Sequence, residues 1–406
     1  MKKELNSKIT AFDRLPGAGK TTNWVENIRN NPTRKFIYIT PFLDEVSRIK
    51  KELPSFKEPI ASKGKGKKQQ HFLELIKQGS NIVSTHSLFK ELQIDDYSLL
   101  NDYVCIMDEV LSVVELIDIK KRDVLMLFND GIITTDNNIV SILDTDYNQS
   151  NGEFYERLQR TKYGNVTFTD RESLVWLFDI NIFLSFDKVV ILTYQYIDSM
   201  LDYYFRLHNT TVTVISGGLE KAVIRTTAKL IDVYEGRYNT IGSKGKHIRT
   251  KLSKSWYLKA RKANPKALQT ISNNTRSFFR TYCKVDSSKA LYAVFKDFKE
   301  DVKPLKYADS NIAINARATN DYREVTAIAY LANRFMNPML VHFFQDAGII
   351  VNQDAFALSE LLQLLWRGCI RDDKEMKVFI PSKRMRDLLK NWMLGLGVGP
   401  STPISS

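Results

Sequence analysis

Residues 17–22 read Gly-Ala-Gly-Lys-Thr-Thr, and residues 108–109 read Asp-Glu. Gly17, Ala18 and Gly19 are small enough for consecutive backbone N–H groups to point at phosphate oxygens. Lys20 can reach outer phosphates, Thr21 can offer a hydroxyl to Mg²⁺, and Thr22 follows in the same turn. The strict phosphate-loop pattern places a glycine at position 14, where this chain has Arg14. Taken alone, the stretch also fits a plain helix-capping turn with Thr21 and Thr22 packed. The second signal favours phosphate chemistry. The apolar run YVCIMDEV ends in Asp108 and Glu109, and adjacent carboxylates at a strand end repel unless something uses them. Asp108 can serve the shell of a Mg²⁺ ion, and Glu109 can orient or deprotonate an attacking water. The expected ligands are ATP and Mg²⁺, and the expected reaction is hydrolysis.

Such groups need strands to carry them and helices to follow. KITAF reads as a strand running into the glycine-rich turn, followed by a helix to about Arg29. KFIYITPF, NIVSTHSLF, YVCIMDEV and KVVILTYQY read as further buried strands, and LDEVSRIKKEL reads as a helix between two of them. Alternation of this kind predicts a parallel sheet covered on both faces. Residues 117–175 break the rhythm with the turn signals NDG and DNN and read as an insertion. A first domain over 1–216 and a second over 217–399 are expected, with 400–406 a disordered tail. The second reads as another α/β unit that contains KLIDVY and ALYAVFKDF, with REVTAIAYLANRF and AFALSELLQLLWRGCIRDD as helices and MKVFIP as a strand.

The formal net charge of +13 sits in one place. Residues 237–289 hold fourteen of the 59 Lys and Arg and one of the 46 Asp and Glu, so the rest of the chain is balanced. A charge gathered in one segment is the footprint of a polyanion-binding surface. Trp256, Tyr257, Phe278, Phe279 and Tyr282 lie within it and suggest bases stacking where phosphates are held. Lys259, Arg261 and Lys262 are the leading phosphate contacts. The three cysteines are widely spaced, which suits free thiols in a reducing cytoplasm, that of a host cell if the source is viral. No apolar run approaches ~18 residues, so no membrane partner is expected.

In order, LPGAGKTT, YITPF, STHSL, IMDEV and ILTYQ resemble motifs I, Ia, Ib, II and III of superfamily 2 helicases of the DEAD/DEAH-like group. NARATN and QLLWRGCIR are similar to motifs V and VI, and the whole resembles the small helicase-like proteins that bacteriophages encode. The resemblance implies an α/β fold of two RecA-like parallel-sheet domains, with the ATP site in the cleft between them. It implies that Lys20 and Thr21 meet phosphate and Mg²⁺, and that Asp108 and Glu109 are the catalytic carboxylates. Thr40, Pro41, Thr85 and His86 would lie near a nucleic-acid backbone, and Thr193 would couple the site to the cleft. Arg317, Thr319 and Asn320 would face it from the second domain, and Gln363, Arg367 and Arg371 would close the ATP site.

Helical spacing adds to the last group. At about 100° per residue, Gln363, Arg367 and Arg371 would share one exposed face, with the leucines opposite. The resulting expectation is an ATP-dependent helicase or translocase in phage replication or recombination, with DNA favoured over RNA and replication proteins as further partners. Two other readings stay open: a DNA-packaging ATPase, and a replication accessory protein that uses ATP as a conformational ligand.

Overall fold

The computed structural model describes residues 7–15, 18–61, 68–143, 165–216, 218–314 and 322–398, without the side chains of 218–222. They divide into two compact units. The first runs to Ser216, apart from Leu15, and takes up Asn337–Val351 as well; the second holds Leu15, Gly217–Met336 and the chain from Asn352. The tail 400–406 lies outside the described residues.

Strands of the first unit are β1 (Ile9–Asp13), β2 (Lys35–Thr40), β3 (Ile82–Thr85), β4 (Tyr103–Asp108), β5 (Val114–Ile117), β6 (Ile133–Asp136), β7 (Ile139–Ile142), β8 (Asn165–Phe168), β9 (Leu174–Leu177), β10 (Lys188–Thr193) and β11 (Thr213–Ile215). Six of them form a parallel sheet in the order β11-β1-β10-β4-β2-β3. Their sequences explain this. FIYI, VCIM and VVIL are apolar on every residue, as strands covered on both faces must be. Val25 and Ile28 of the helix Lys20–Arg29, and Val46 and Ile49 of the helix Leu43–Glu52, join Tyr38, Val104, Ile106 and Leu192 in one buried cluster. The register pairs Asp13 with Thr193, Leu192 with Asp108, and Thr40 with Thr85. The carboxyl ends of the strands therefore share one edge of the sheet, where ligand-binding loops of open α/β sheets gather.

The stretch read as a polar insertion is structured where described. β5 to β9 make an antiparallel sheet in the order β5-β9-β8-β7-β6, with the helix Lys121–Asn129 between β5 and β6. The DNN signal turns the β6–β7 hairpin. Asn137 and Asn138 both have positive φ, 48° and 65°, as a tight two-residue hairpin loop requires.

The second unit has β12 (Ile231–Val233), β13 (Ala290–Val294), β14 (Asn311–Ala313), β15 (Ala327–Tyr330) and β16 (Met376–Phe379), all parallel, in the order β12-β16-β15-β13-β14. The helix expected over 323–335 is corrected here. Its core, AIAY, is the central strand β15, buried on all four residues. A short apolar run fits a buried strand or a buried helix equally well, and pairing with β13 and β16 decides it. Residues 337–351 were also expected in the second domain, but they group with the first unit. There the helix Pro338–Asp346 sets the Phe344 ring 5.5 Å from Tyr203.

Arg384 ties together the two places where the chain leaves and re-enters the second unit. Its guanidinium donates to Asn333 Oδ1 at 2.8 Å, the Arg334 carbonyl at 2.7 Å, the Gln353 carbonyl at 3.0 Å and Asp354 Oδ1 at 2.6 Å. The side chain is 8% exposed and lies 4.2 Å from the Phe335 ring. Arg384→Met keeps the stem and leaves these acceptors unpaired. It is expected to destabilise the second unit by about 3 kcal/mol. Denaturant melts followed by two probes check this, and an unchanged midpoint for both would remove Arg384 from the account of stability.

Candidate functional site

β1 ends at Asp13, and the Arg14 N–H donates to the Thr193 carbonyl at 2.9 Å, so the stem of the glycine-rich turn is fastened to β10. Gly19 adopts φ 71° and ψ 17°, a left-handed conformation that glycine enters at little cost. This sharp entry starts the helix at Lys20 with no side-chain cap. The first-turn N–H groups of Lys20, Thr21 and Thr22 have no acceptor within the helix and point out at its positive end. Ala18 and Thr22 are exposed, and Thr21 is half-buried.

Lys20 is only 8% exposed, and its Nζ donates to the Arg14 carbonyl at 2.6 Å. Thr21 Oγ1 donates to Asp108 Oδ2 at 3.2 Å, across 87 residues of chain. The Tyr38 hydroxyl donates to the same oxygen at 2.9 Å. Burial, then the neighbouring charge of Glu109, pushes the Asp108 carboxyl up to about 6, against the lowering effect of the Tyr38 hydrogen bond. Glu109 has φ 64°, which costs a non-glycine residue about 1–2 kcal/mol. Its N–H donates to the Leu192 carbonyl at 2.9 Å, which fixes the backbone in that turn. The arrangement brings a half-free helix start, an ammonium, a hydroxyl and two carboxylates to one edge of one sheet.

The donor set fits a hard divalent cation. Thr21 and Asp108 converge and a positive charge would relieve the raised carboxyl. Among the described residues no group of three or more His, Cys, Asp and Glu could hold a metal ion. A cation here would thus have few protein ligands, the rest being phosphate and water, which is how Mg²⁺ is usually held.

Two neighbours of this site were not foreseen. Tyr38 carries a hydroxyl within the buried run of β2. Asp13 closes β1 as Asp108 closes β4, and its carboxylate accepts the Gln195 N–H at 2.7 Å and the Tyr196 N–H at 3.1 Å. Burial raises the Asp13 carboxyl above its ordinary range. An acid ending an apolar strand is the signal that could have found it.

The other expected residues are placed as follows. Thr40 is fully buried and Pro41 follows it at the end of β2. The Thr85 hydroxyl accepts from the Leu88 N–H at 3.3 Å and caps the helix His86–Lys90, with His86 buried. Thr193 is fully buried. In the second unit, Trp256, Lys259, Arg261 and Lys262 share the helix Lys254–Ala263. Lys259 and Lys262 are exposed, and Trp256 is half-buried, edge-on to Tyr257. Arg261 is occupied: its Nε donates to both carboxyl oxygens of Asp301 at 3.1 and 3.2 Å, and its guanidinium lies 4.4 Å from the Phe298 ring. The idea that the aromatics of 237–289 all stack on bases is corrected. Tyr257, Phe278 and Phe279 are 0% exposed and belong to the core.

The shared helix face of Gln363, Arg367 and Arg371 is corrected too. The helix runs Gln353–Leu365 and stops, Arg367 is buried, and Arg371 lies in a separate 3₁₀ turn, Cys369–Asp372. Gly368 has extended backbone, φ −81° and ψ −166°, and a Cβ there would stand 2.2 Å from Met376 Cε and 3.1 Å from the Val325 carbonyl, so the chain is closely packed and non-helical where the pattern needed another turn. Gly17, Arg317, Thr319 and Asn320 lie outside the described residues.

Comparison with known proteins agrees with this architecture. A profile of the YonV C-terminal Rossmann-like domain matches residues 225–393. The SPbeta prophage-derived uncharacterized protein YonV of Bacillus subtilis (strain 168) is 30% identical over 412 residues, covering 95% of this chain and 98% of that protein. Xpd4 of S. tokodaii matches over 98% of this chain and 96% of its own, with a TM-score of 0.50 and 13% identity, a likeness of fold.

Proposed function

The chain belongs to the YonV family, and from that premise and the site on its first unit we propose that it is a nucleic-acid-dependent ATPase, a helicase or translocase that a phage uses on DNA. One observation carries the reading. The Thr21 hydroxyl and the Asp108 carboxylate meet at 3.2 Å directly behind a helix start that Gly19 leaves uncapped. A plain helix-capping turn has no use for a buried, raised carboxyl facing it from another strand. The first-turn N–H groups and Lys20 hold the phosphates of ATP. Lys20 gives up the Arg14 carbonyl for them, a short swing of a flexible side chain. Thr21 and Asp108 would hold Mg²⁺, which when bound supplies positive charge against the charge that builds on the transferring phosphoryl group. Glu109, fixed in its left-handed turn, orients the attacking water and takes its proton.

Nucleic acid as the partner is supported by the concentration of charge in 237–289 and by the exposure of Lys259 and Lys262 on one helix. If these lysines track phosphates, binding to a single strand should weaken with salt at a slope of about −0.7 per phosphate contacted. Lys259→Glu with Lys262→Glu should flatten that slope by more than one contact. Arg261 is left out because Asp301 holds it in the fold. Anisotropy titrations at several salt concentrations read the slope. An identical slope in the double variant would make this face a solvated surface and nothing more.

A further inference from the structure

The basic segment also contributes to a second surface of the same unit, away from the helix Lys254–Ala263 in sequence. β12 is an edge strand, and just past its end a ladder of rings begins. Tyr234 stacks on Tyr238, with centroids 5.3 Å apart and planes 16° apart. Tyr234 also meets Tyr282 edge-on at 4.8 Å, and Tyr282 stacks on Phe278 at 5.7 Å. Phe278 stacks in turn on Phe379 at 5.3 Å. The inner rings, Phe278 and Phe379, are buried, so the ladder is rooted in the core. A Cβ at Gly236 would stand 2.1 Å from the Tyr234 hydroxyl, so the residue between the two tyrosines must lack one for the ring to fold back.

The outer end differs from a core. Tyr282 is 40% exposed, Tyr238 is half-buried and Arg237 is exposed. Each outer ring carries a cation: the Arg237 guanidinium lies 5.4 Å from the Tyr238 centroid, and Lys377 Nζ lies 5.1 Å from that of Tyr282. The acids nearby are engaged. Asp232 accepts from the Tyr282 hydroxyl at 3.3 Å, and Glu235 pairs with Lys390 at 2.7 Å and with Arg386 at 3.5 Å. Tyr282 belongs to a π-helical turn, Phe278–Cys283, an uncommon irregularity that recurs at functional sites. The exposed Lys284 follows it.

Rigid rings whose outer members carry cations suit a chain that alternates flat bases with phosphates. Bases stack on aromatic rings and on guanidinium planes alike, without regard to sequence. We propose that Arg237, Tyr238, Tyr282 and Lys377 form a stacking platform for the bases of a single-stranded nucleic acid, with Arg237, Lys377 and Lys284 against its phosphates. This rests on the nucleic-acid reading above and adds to it a site where bases, not only charge, are held.

The test compares an oligo-dT of about 20 nucleotides with an abasic oligodeoxynucleotide of equal length and charge, using the full chain and fluorescence anisotropy at fixed salt. The wild-type protein should prefer oligo-dT by tenfold or more, since one base stack is worth about that factor. Tyr238→Leu and Tyr282→Leu should each lose most of the preference while abasic binding and its salt slope hold. Tyr238→Phe should keep it. Because Tyr238 is half-buried, melting curves separate loss of stacking from loss of fold there, and that variant decides if Tyr282→Leu fails to fold. Equal wild-type affinity for the two oligomers, or Leu variants with the preference intact, overturns the platform and leaves a nucleic-acid partner standing. No binding of either oligomer by the wild type removes both.

Discussion

Lys20→Ala is expected to lower ATP turnover by about a hundredfold to a thousandfold, the usual loss when one preorganised charge-stabilising donor is removed from a site of developing charge. Lys20 is buried at the start of its helix, its Nζ donates to the Arg14 carbonyl, and its charge lowers the Asp13 and Asp108 carboxyls. Truncation removes that hydrogen bond and the positive charge beside two buried carboxyls, so the fold should lose about 1–3 kcal/mol as well. The signature is therefore a large loss of turnover in a protein that still melts cooperatively above the assay temperature. Phosphate release and a thermal melt on the same preparation give both numbers. More than about a tenth of wild-type turnover in this variant would mean that phosphates are held elsewhere.

Glu109→Gln is expected to separate binding from chemistry. The substitution keeps shape and removes the charge and the basic oxygen. The backbone at 109 is held by its N–H to the Leu192 carbonyl, which does not involve the side chain. The Glu109 charge helps to raise the Asp108 carboxyl, so removing it lowers that carboxyl and leaves Asp108 more fully ionised near neutral pH. A defect in this variant thus cannot be traced to a weakened Asp108. The affinity for ATP should stay within a few-fold of wild type, while turnover falls by about 10²–10⁴, as for the loss of a general base. Equilibrium binding of a fluorescent nucleotide, set against turnover, reads the split. Turnover close to wild type would take Glu109 out of the mechanism.

Much of the first unit was legible because its strands are extreme. FIYI, VCIM and VVIL admit no other reading once helical segments separate them, and the acid at the end of β4 stands out against its apolar run. The helix start was legible too, since only a few residue types permit the turn at Gly19. What stayed hidden depends on partners distant in sequence. Nothing around Tyr38 says that its hydroxyl will meet a carboxylate from a strand 70 residues away. AIAY is helical or extended according to what lies beside it, and its neighbours β13 and β16 are remote. The periodic face of Gln363, Arg367 and Arg371 was a sound pattern on a helix that ends at Leu365, and the extended backbone of Gly368, packed close to Val325 and Met376, is not written in that pattern. Aromatic residues in a basic segment do not declare which way they face. Tyr257, Phe278 and Phe279 turned inward, whereas Tyr282 is 40% exposed and Tyr238, which was not among the aromatics singled out, is half-buried in the same ladder of rings.

Turnover of ATP by the wild-type chain tests the central claim most directly. It would be measured with Mg²⁺ alone, then with single-stranded DNA, duplex DNA and RNA added, against Lys20→Ala as the baseline. The account predicts hydrolysis that requires Mg²⁺, is slow alone and rises at least tenfold with single-stranded DNA. Turnover no higher than the Lys20→Ala baseline under all four conditions would contradict the ATPase, and turnover indifferent to every nucleic acid would contradict the motor.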